Sequence, residues 1–216
     1  MQPGETPLFG GERGCAEFEQ SVLRLDGPSE ARASEADDEV LYVLAGAGVA
    51  DVGGERAELA PGTAAYVRRG TPWQVTEGNG LEILSVLVRD PDPDPASHAV
   101  VGIDAVESGT ATAGRQFRLL APSASATQFV GYIPVGRAPD HFHKYDEVVY
   151  VLTGNGELHI DGETAPLQAG TCVHLPAGLV HCLENTGPDE MQVLGVFRPA
   201  GSPAEAYYPD GTKAVY

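Results

Sequence analysis

The sequence predicts an all-β chain built from two tandem copies of one antiparallel unit. Three observations predict it. The 216 residues repeat with an offset of 108, and 15 of 36 positions between residues 38 and 73 are identical to their partners, which means two structural copies. Glycine (27) and proline (17) are plentiful, as expected where many short strands are joined by turns. No long amphipathic helical pattern appears; Glu55–Ala60 and Glu163–Gln168 are too short and too interrupted.

Taken in order, residues 1–14 are glycine-rich and are expected either to be loose or to form an edge strand exchanged with a partner copy. The first domain is assigned to residues 1–90, with its strands from about residue 15. Within it, Asp38-Glu39 opens an apolar run, Val40 to Leu44, that stops near Gly46. Asp90-Pro91-Asp92-Pro93-Asp94-Pro95 follows, where alternating proline and like charge keep the backbone extended, so residues 91–97 read as a linker. The second domain is assigned to residues 98–216, with Arg115–Leu120 and Ala126–Ile133 as early strands. Its own apolar run, Val148 to Leu152, is rich in β-branched and aromatic residues and ends at the turn signal Thr153-Gly154-Asn155-Gly156. The tail from Ser202 carries Tyr207, Tyr208 and Tyr216 and is expected to pack down, with the other domain as one candidate surface.

The chemistry concentrates in four residues of the second copy: His141, His143, Glu147 and His181. His141 and His143 are two apart, so on a strand both leave the same face and Phe142 leaves the other. Glu147 lies an even step beyond, and His181 follows the turn Pro176-Ala177-Gly178. Two hairpins then bring three imidazoles and a carboxylate into one interior, a ligand set for a divalent transition metal: Fe, Mn, Ni, Cu or Zn. The absence of cysteine from the set argues against a closed structural zinc site. Four protein ligands leave one or two coordination positions open.

These two blocks resemble the two motifs of the cupin superfamily, G-x5-H-x-H-x3,4-E-x6-G and G-x5-P-x-G-x2-H-x3-N. The second is matched at Gly170, Pro176, Gly178, His181 and Asn185; the first at His141, His143, Glu147 and Gly154, with Gly136 one residue closer to His141 than in the common form. The resemblance implies a bicupin, two small β-barrels or jelly rolls, with His141, His143, Glu147 and His181 as the metal ligands. In the first copy Ala33, Glu35 and Trp73 fall where His141, His143 and His181 stand, and Glu39 alone survives. Trp73 is expected to fill the vacated space. Glu39 then pairs with Arg68 or is solvated with it at the barrel mouth, and an organic-ligand pocket using Trp73 and Arg68 is a third reading.

Composition bounds the rest. A formal net charge of -18 excludes a nucleic-acid or anionic-membrane surface as the partner, and no apolar stretch approaches a membrane span. Cys15, Cys172 and Cys182 show no metal-site or redox-pair spacing; an odd count and the lack of a secretory start favour reduced, buried thiols in the cytoplasm. Cys172 and Cys182 sit on the two arms of one hairpin, and Cys182 should point away from the metal. Leu183 and Asn185 share the face of His181, with Asn185 holding the loop. Met191, Val193, Gly195 and Phe197 alternate against Gln192, Leu194 and Val196, while the parity of Gln128, Phe129 and Tyr132 stays open. His174 is read as a packed, rim or ligand-orienting residue, His159 as outward-facing and His98 as exposed.

The leading functional reading is a metal-dependent enzyme on a small-molecule substrate, of dioxygenase type, with Glu147 able to leave the ion and act as catalytic base. The alternatives are a redox-neutral isomerase, epimerase or lyase on a sugar or keto acid, and a non-enzymatic small-molecule-binding cupin. A homodimer and a monomer are both compatible with a two-barrel chain.

Overall fold

A computed structural model of the chain describes residues 4–11, 15–91, 93, 98–121 and 123–214. Among the described residues the named elements are seventeen strands and two short 3-10 turns, and every strand pair among them is antiparallel. Asp92, Asp94 and Pro95 of the expected linker, and Tyr216 of the tail, lie outside the described residues.

The first unit contains β1 (Glu5–Phe9), β2 (Phe18–Leu25), β3 (Asp38–Val52), β4 (Glu55–Leu59), β5 (Thr63–Val67), β6 (Trp73–Val88) and β7 (Ala99–Gly102). They form one sheet in the order β1-β2-β6-β3-β5-β7, with β4 paired to β3. Strand β3 is long enough to serve three partners, β6 along its length, β5 through Glu39–Tyr42 and β4 through Gly48–Val52. The curled sheet closes over Leu41, Val43, Val52, Trp73, Val75 and Ile83. The N-terminal segment forms an edge strand, β1 pairing with β2. Strand β7, beyond the 91–97 segment, pairs with β5, and the first compact unit runs to Val106 and takes in Leu120–Ser125.

The second unit holds Glu107–Leu119 and the chain from Ala126. Its strands are β8 (Ser108–Thr110), β9 (Gln116–Leu119), β10 (Thr127–Ile133), β11 (Gly136–Arg137), β12 (Asp146–Thr153), β13 (Asn155–Ile160), β14 (Glu163–Gln168), β15 (Cys172–Leu175), β16 (His181–Asn185) and β17 (Met191–Arg198). A six-stranded sheet, β15-β12-β17-β10-β9-β8, faces a four-stranded one, β11-β16-β13-β14. The core lies between them: Ile133, Val149 and Val193 from the first sheet meet Leu158, Leu167 and Leu183 from the second. This is the jelly-roll arrangement of two antiparallel sheets with alternate residues turned inward.

The repeat is visible in the backbone itself. The Gly62 N–H donates to Val43 O at 3.0 Å, and 108 residues later the Gly170 N–H donates to Val151 O at 2.9 Å. Both glycines sit in the left-handed region, at φ +89° and +88°, where a side chain would be strained. Asn185, one of the largest polar commitments of the second unit, is buried; its amide donates to Ile133 O and Asp189 O at 2.8 Å each and accepts from Gly187 N–H at 2.9 Å. It holds the loop, as its place in the sequence suggests.

None of Cys15, Cys172 and Cys182 is in a disulfide. Cys15 and Cys182 are buried, whereas Cys172 is half-buried, and burial pushes its thiol up to about 12. Cys172 and Cys182 lie on different sheets. His98 is half-buried, not exposed, its ring packed over Gly53.

Candidate metal centre

His141 and His143 do not sit on a continuous strand. His141 makes an isolated bridge with His181, its N–H donating to His181 O at 3.0 Å while the His181 N–H donates back at 2.8 Å. The next residue, Phe142, bridges Tyr207 of the tail instead, so the alternation of faces survives without a strand. The Phe142 and Tyr207 rings stack at 5.6 Å. The turn before His181 is pinned to the same loop, because the Gly178 N–H donates to His143 O at 2.8 Å. Two sequence-distant blocks are thus locked together by backbone bonds before any ligand is considered.

Each imidazole is then fixed in rotation. His141 Nδ1 meets Pro139 O at 3.0 Å, His143 Nδ1 meets Glu205 O at 2.9 Å and His181 Nδ1 meets Leu179 O at 2.9 Å. A carbonyl only accepts, so each Nδ1 carries the hydrogen and each Nε2 presents a lone pair. Ligand atoms of the three residues lie within 4.8 Å of one another, and the three could hold a metal ion. Burial first, and their mutual proximity, hold His141 at about 3 and His181 at about 4; burial also lowers His143. All three are neutral at physiological pH, the state that binds metal.

Glu147 lines the same cavity from β12 but stands outside that mutual distance. It is buried, and burial pushes its carboxyl up to about 8, with the Arg115 guanidinium pulling the other way. No hydrogen bond from a described residue reaches it. A buried carboxyl left without donors beside three aligned nitrogen lone pairs is the donor set that a divalent transition metal completes.

The cavity has a volume of about 70 Å³ and an apolar wall, including Phe117, Phe129, Val149, Leu183, Val193 and Phe197. The open parity of β10 resolves in favour of Phe129, Gly131 and Ile133, with Tyr132 at the margin, while Gln128 is buried elsewhere. From β17 the inward face is that of Val193 and Phe197. His174 pairs with Val148 across the strands, on the face opposite Glu147, so it is not an orienting partner of the site. His159 faces away from the Leu158 core, as expected, and bonds Glu184 at 2.8 Å there, half-buried. Cys182 turns away from the cavity, donating to Ala138 O.

Two contributors escape the sequence reading. The tail folds back onto the histidine loop of its own domain: Glu205 gives its carbonyl to His143 and its carboxylate accepts from the Tyr145 and Tyr207 hydroxyls at 2.5 and 2.8 Å. Lys144 lies 4.0 Å over the Tyr207 ring. The second is Arg115, just before β9, which lines the cavity and donates to Leu183 O. Neither carries a local motif; both act through long sequence separations.

In the first unit the equivalent site is filled. Trp73 is buried and its indole N–H donates to Glu39 Oε2 at 2.7 Å, while the Ser85 hydroxyl donates to Oε1 at 2.5 Å. Arg68 is exposed, so neither the Arg68 pair nor a shared solvated mouth describes Glu39. The residue that bridges Trp73 as His141 bridges His181 is Arg32, one before Ala33. Its guanidinium lies 5.7 Å over the indole and reaches Glu5. The cavity left beside Trp73 is about 10 Å³, no more than roughly one water, which removes the organic-ligand reading.

Fold and site together define a two-barrel protein with one histidine-rich, metal-competent cavity. The cupin domain family (Cupin_2) matches residues 25–88 and 128–197, more than half of the chain, and the chain belongs to that family. Polyketide synthase CurC of Streptomyces cyaneus is 34% identical over 101 residues, 44% of this chain and 66% of CurC. The oxalate-binding protein of Thermotoga maritima is 35% identical over 57 residues, 25% of this chain and 47% of that protein. The chain therefore spans less than two thirds of either relative. Bacillus subtilis oxalate decarboxylase superposes with a TM-score of 0.77 at 15% identity, over 94% of this chain and 75% of that one, which shows a shared bicupin fold. Among the described residues no helix is long and apolar enough to cross a membrane.

Proposed function

We propose that the second barrel is the active site of a metal-dependent enzyme acting on a small organic substrate, with dioxygenase-type chemistry as the first reading. The observation that supports it most is the locking of all three Nδ1–H groups onto carbonyls, which aims three neutral Nε2 atoms into one apolar cavity. Such convergence is preorganisation for an ion, since orienting bonds behind metal-bound histidines raise affinity and fix geometry. His141, His143 and His181 would hold it, with Glu147 as the fourth ligand.

A divalent transition metal bound there supplies Lewis acidity and open positions for a chelating substrate oxygen and for dioxygen. The remaining work belongs to the chain. The apolar wall excludes water and strengthens polar contacts inside. Glu147, when released from the ion into this buried position, would take up and return a substrate proton. The three free thiols accord with a reducing, cytoplasmic setting.

The test is metal content by mass spectrometry, then turnover of enolisable diketones and keto acids with and without oxygen. Wild type should carry about one ion per chain and consume oxygen; His141→Ala and His181→Ala should lose both metal and turnover. Turnover surviving in a metal-free variant would sink the proposal. The similarity to an oxalate-binding protein favours a second reading, a non-enzymatic cupin that binds a small anion; metal and ligand binding with no turnover would establish it. Turnover without oxygen uptake would point to a redox-neutral enzyme.

A further inference from the structure

Besides the three imidazoles and Glu147, the polar side chains of the cavity lining are Tyr132 and a cluster at one turn: Thr112, Arg115 and Gln116. Thr112 and Arg115 flank Ala113 and Gly114 just before β9. The Ala111 N–H donates to Arg115 O at 2.7 Å and the Arg115 N–H to Thr112 O at 3.4 Å, which closes the turn and sets both side chains on the cavity wall. Ala113 is held at φ 59° and ψ 33°, a left-handed conformation that a residue with a Cβ adopts only where its surroundings impose it.

Thr112 is 5% exposed, and its hydroxyl has no hydrogen-bond partner among the described residues. Buried hydroxyls are almost always paired, so an unpaired one on a residue of the cavity lining is a donor in search of an acceptor. Arg115 is the one permanent cation among the described lining residues, the three imidazoles being neutral. Its contacts with Leu183 O and the Cys182 side chain use part of the guanidinium, whereas the fork offers five N–H donors in a geometry that fits carboxylates. An unpaired hydroxyl and a guanidinium on one turn, on the lining of a cavity of about 70 Å³, together make an anion-reading site for a molecule displacing roughly five waters.

We propose that Thr112 and Arg115 form an oxyanion subsite that selects small substrates bearing a carboxylate, in the same cavity as the three Nε2 atoms. The proposal rests on the reading of this cavity as a substrate site and names the substrate class. Long-range attraction cannot supply that preference, because a chain of net charge -18 repels anions; selection has to be local, and Arg115 is the cation the chain itself places beside the bound ion. Arg115 is here a specificity residue that touches the substrate, and Thr112 completes the pair by donating its hydroxyl.

The experiment is calorimetric titration of the zinc-loaded full chain with pyruvate and with its uncharged isostere pyruvamide, alongside zinc content by mass spectrometry and a circular-dichroism check of fold. Wild type should bind pyruvate saturably and pyruvamide about tenfold more weakly, the difference made by a charge-assisted fork. Arg115→Met should lose about tenfold for pyruvate and nothing for pyruvamide, with Arg115→Lys recovering part of the preference. Thr112→Val, which keeps the shape and removes the hydroxyl, should weaken pyruvate about threefold or more. If Arg115→Met does not fold, the Lys and Val variants carry the same reading. Equal affinity for the two probes, absent pyruvate binding to wild type, or an unchanged preference in the variants overturns the subsite. The two proposals separate cleanly: a chain that takes up no zinc yet keeps an Arg115-dependent preference removes the metal site and keeps the subsite. A chain with one zinc and no such preference does the reverse.

Discussion

Two glutamates at equivalent positions show how one carboxyl can be committed to structure or kept for chemistry. Glu39 is satisfied inside the protein by the Trp73 indole and the Ser85 hydroxyl. Burial nonetheless raises it, more than the bonds to Ser85 and Trp73 and the charge of Arg32 lower it. A carboxyl raised in the folded state stabilises the fold fully below its unfolded value of 4.5, and that contribution is lost as pH rises through the folded value. Trp73→Phe removes a donor that lowers Glu39, so stability should drop by about 1–3 kcal/mol at neutral pH and by less below 4.5. Urea unfolding of wild type, Trp73→Phe and Glu39→Gln across that window reads it; the Gln variant should flatten the dependence. Glu147, by contrast, lacks protein donors and lies near 8, with His141 and His181 near 3 and 4. At pH 7 the metal-free site therefore holds about one proton, on Glu147, which coordination must displace. Titrating zinc in two buffers of different ionisation enthalpy should show close to one proton released at pH 7 and almost none at pH 9.5. Glu147→Gln should abolish the release; a pH-independent count would show that Glu147 does not bind.

At the scale of elements, the ligands are placed by turns and a tail more than by strands. Gly178 sits at φ +81° and gives its N–H to His143 O, so Gly178→Ala adds left-handed strain of about 1–2 kcal/mol and shifts the bond joining the two ligand loops. Lower melting temperature together with weaker metal affinity is expected; a loss of stability alone would mean the turn does not position His143. The tail makes a sharper case, because the Glu205 carbonyl sets the tautomer of His143 from 62 residues away. Ending the chain before Glu205 should leave the barrel folded and lower metal affinity about 10–100-fold, the usual effect of removing a bond behind a ligating histidine. The three histidines, Glu147, the turn glycines and the loop-holding role of Asn185 were legible because each is encoded locally by spacing and turn chemistry. Glu205 and Arg115 were not. Their roles depend on where a closed sheet brings distant segments, and nothing in Arg115-Gln116-Phe117 or Ala204-Glu205-Ala206 marks such an approach. The slip from Ala33 to Arg32 has the same origin, since the pairing of a loop with a strand end has no sequence period to register it.

At the scale of the whole molecule, duplication has left one copy built around an open cavity and the other around a packed core. The two units share the repeat of turn glycines and β-strand registers, yet the cavity of about 70 Å³ in the second shrinks to about 10 Å³ in the first. An indole stands where one imidazole does, Arg32 makes the backbone bridge that His141 makes, and the carboxyl survives as the indole's hydrogen-bond partner within the field of Arg32. That exchange replaces an ion's positive charge with Arg32 and its coordination with two neutral donors. Metal stoichiometry should accordingly be one per chain, not two, under saturating Zn or Mn. His141→Ala/His181→Ala should reduce it to zero, with no residual weak site titrating in the first unit. The thermal transitions extend the same argument. Saturating metal stabilises only the state that binds it, by RT ln(1 + [L]/Kd), so differential scanning calorimetry should show a metal-dependent upward shift in wild type that vanishes in the double variant. A second ion bound by the double variant, or an undiminished shift, would mean that Glu39 and its surroundings still form a metal site and that the packed core opens to admit it.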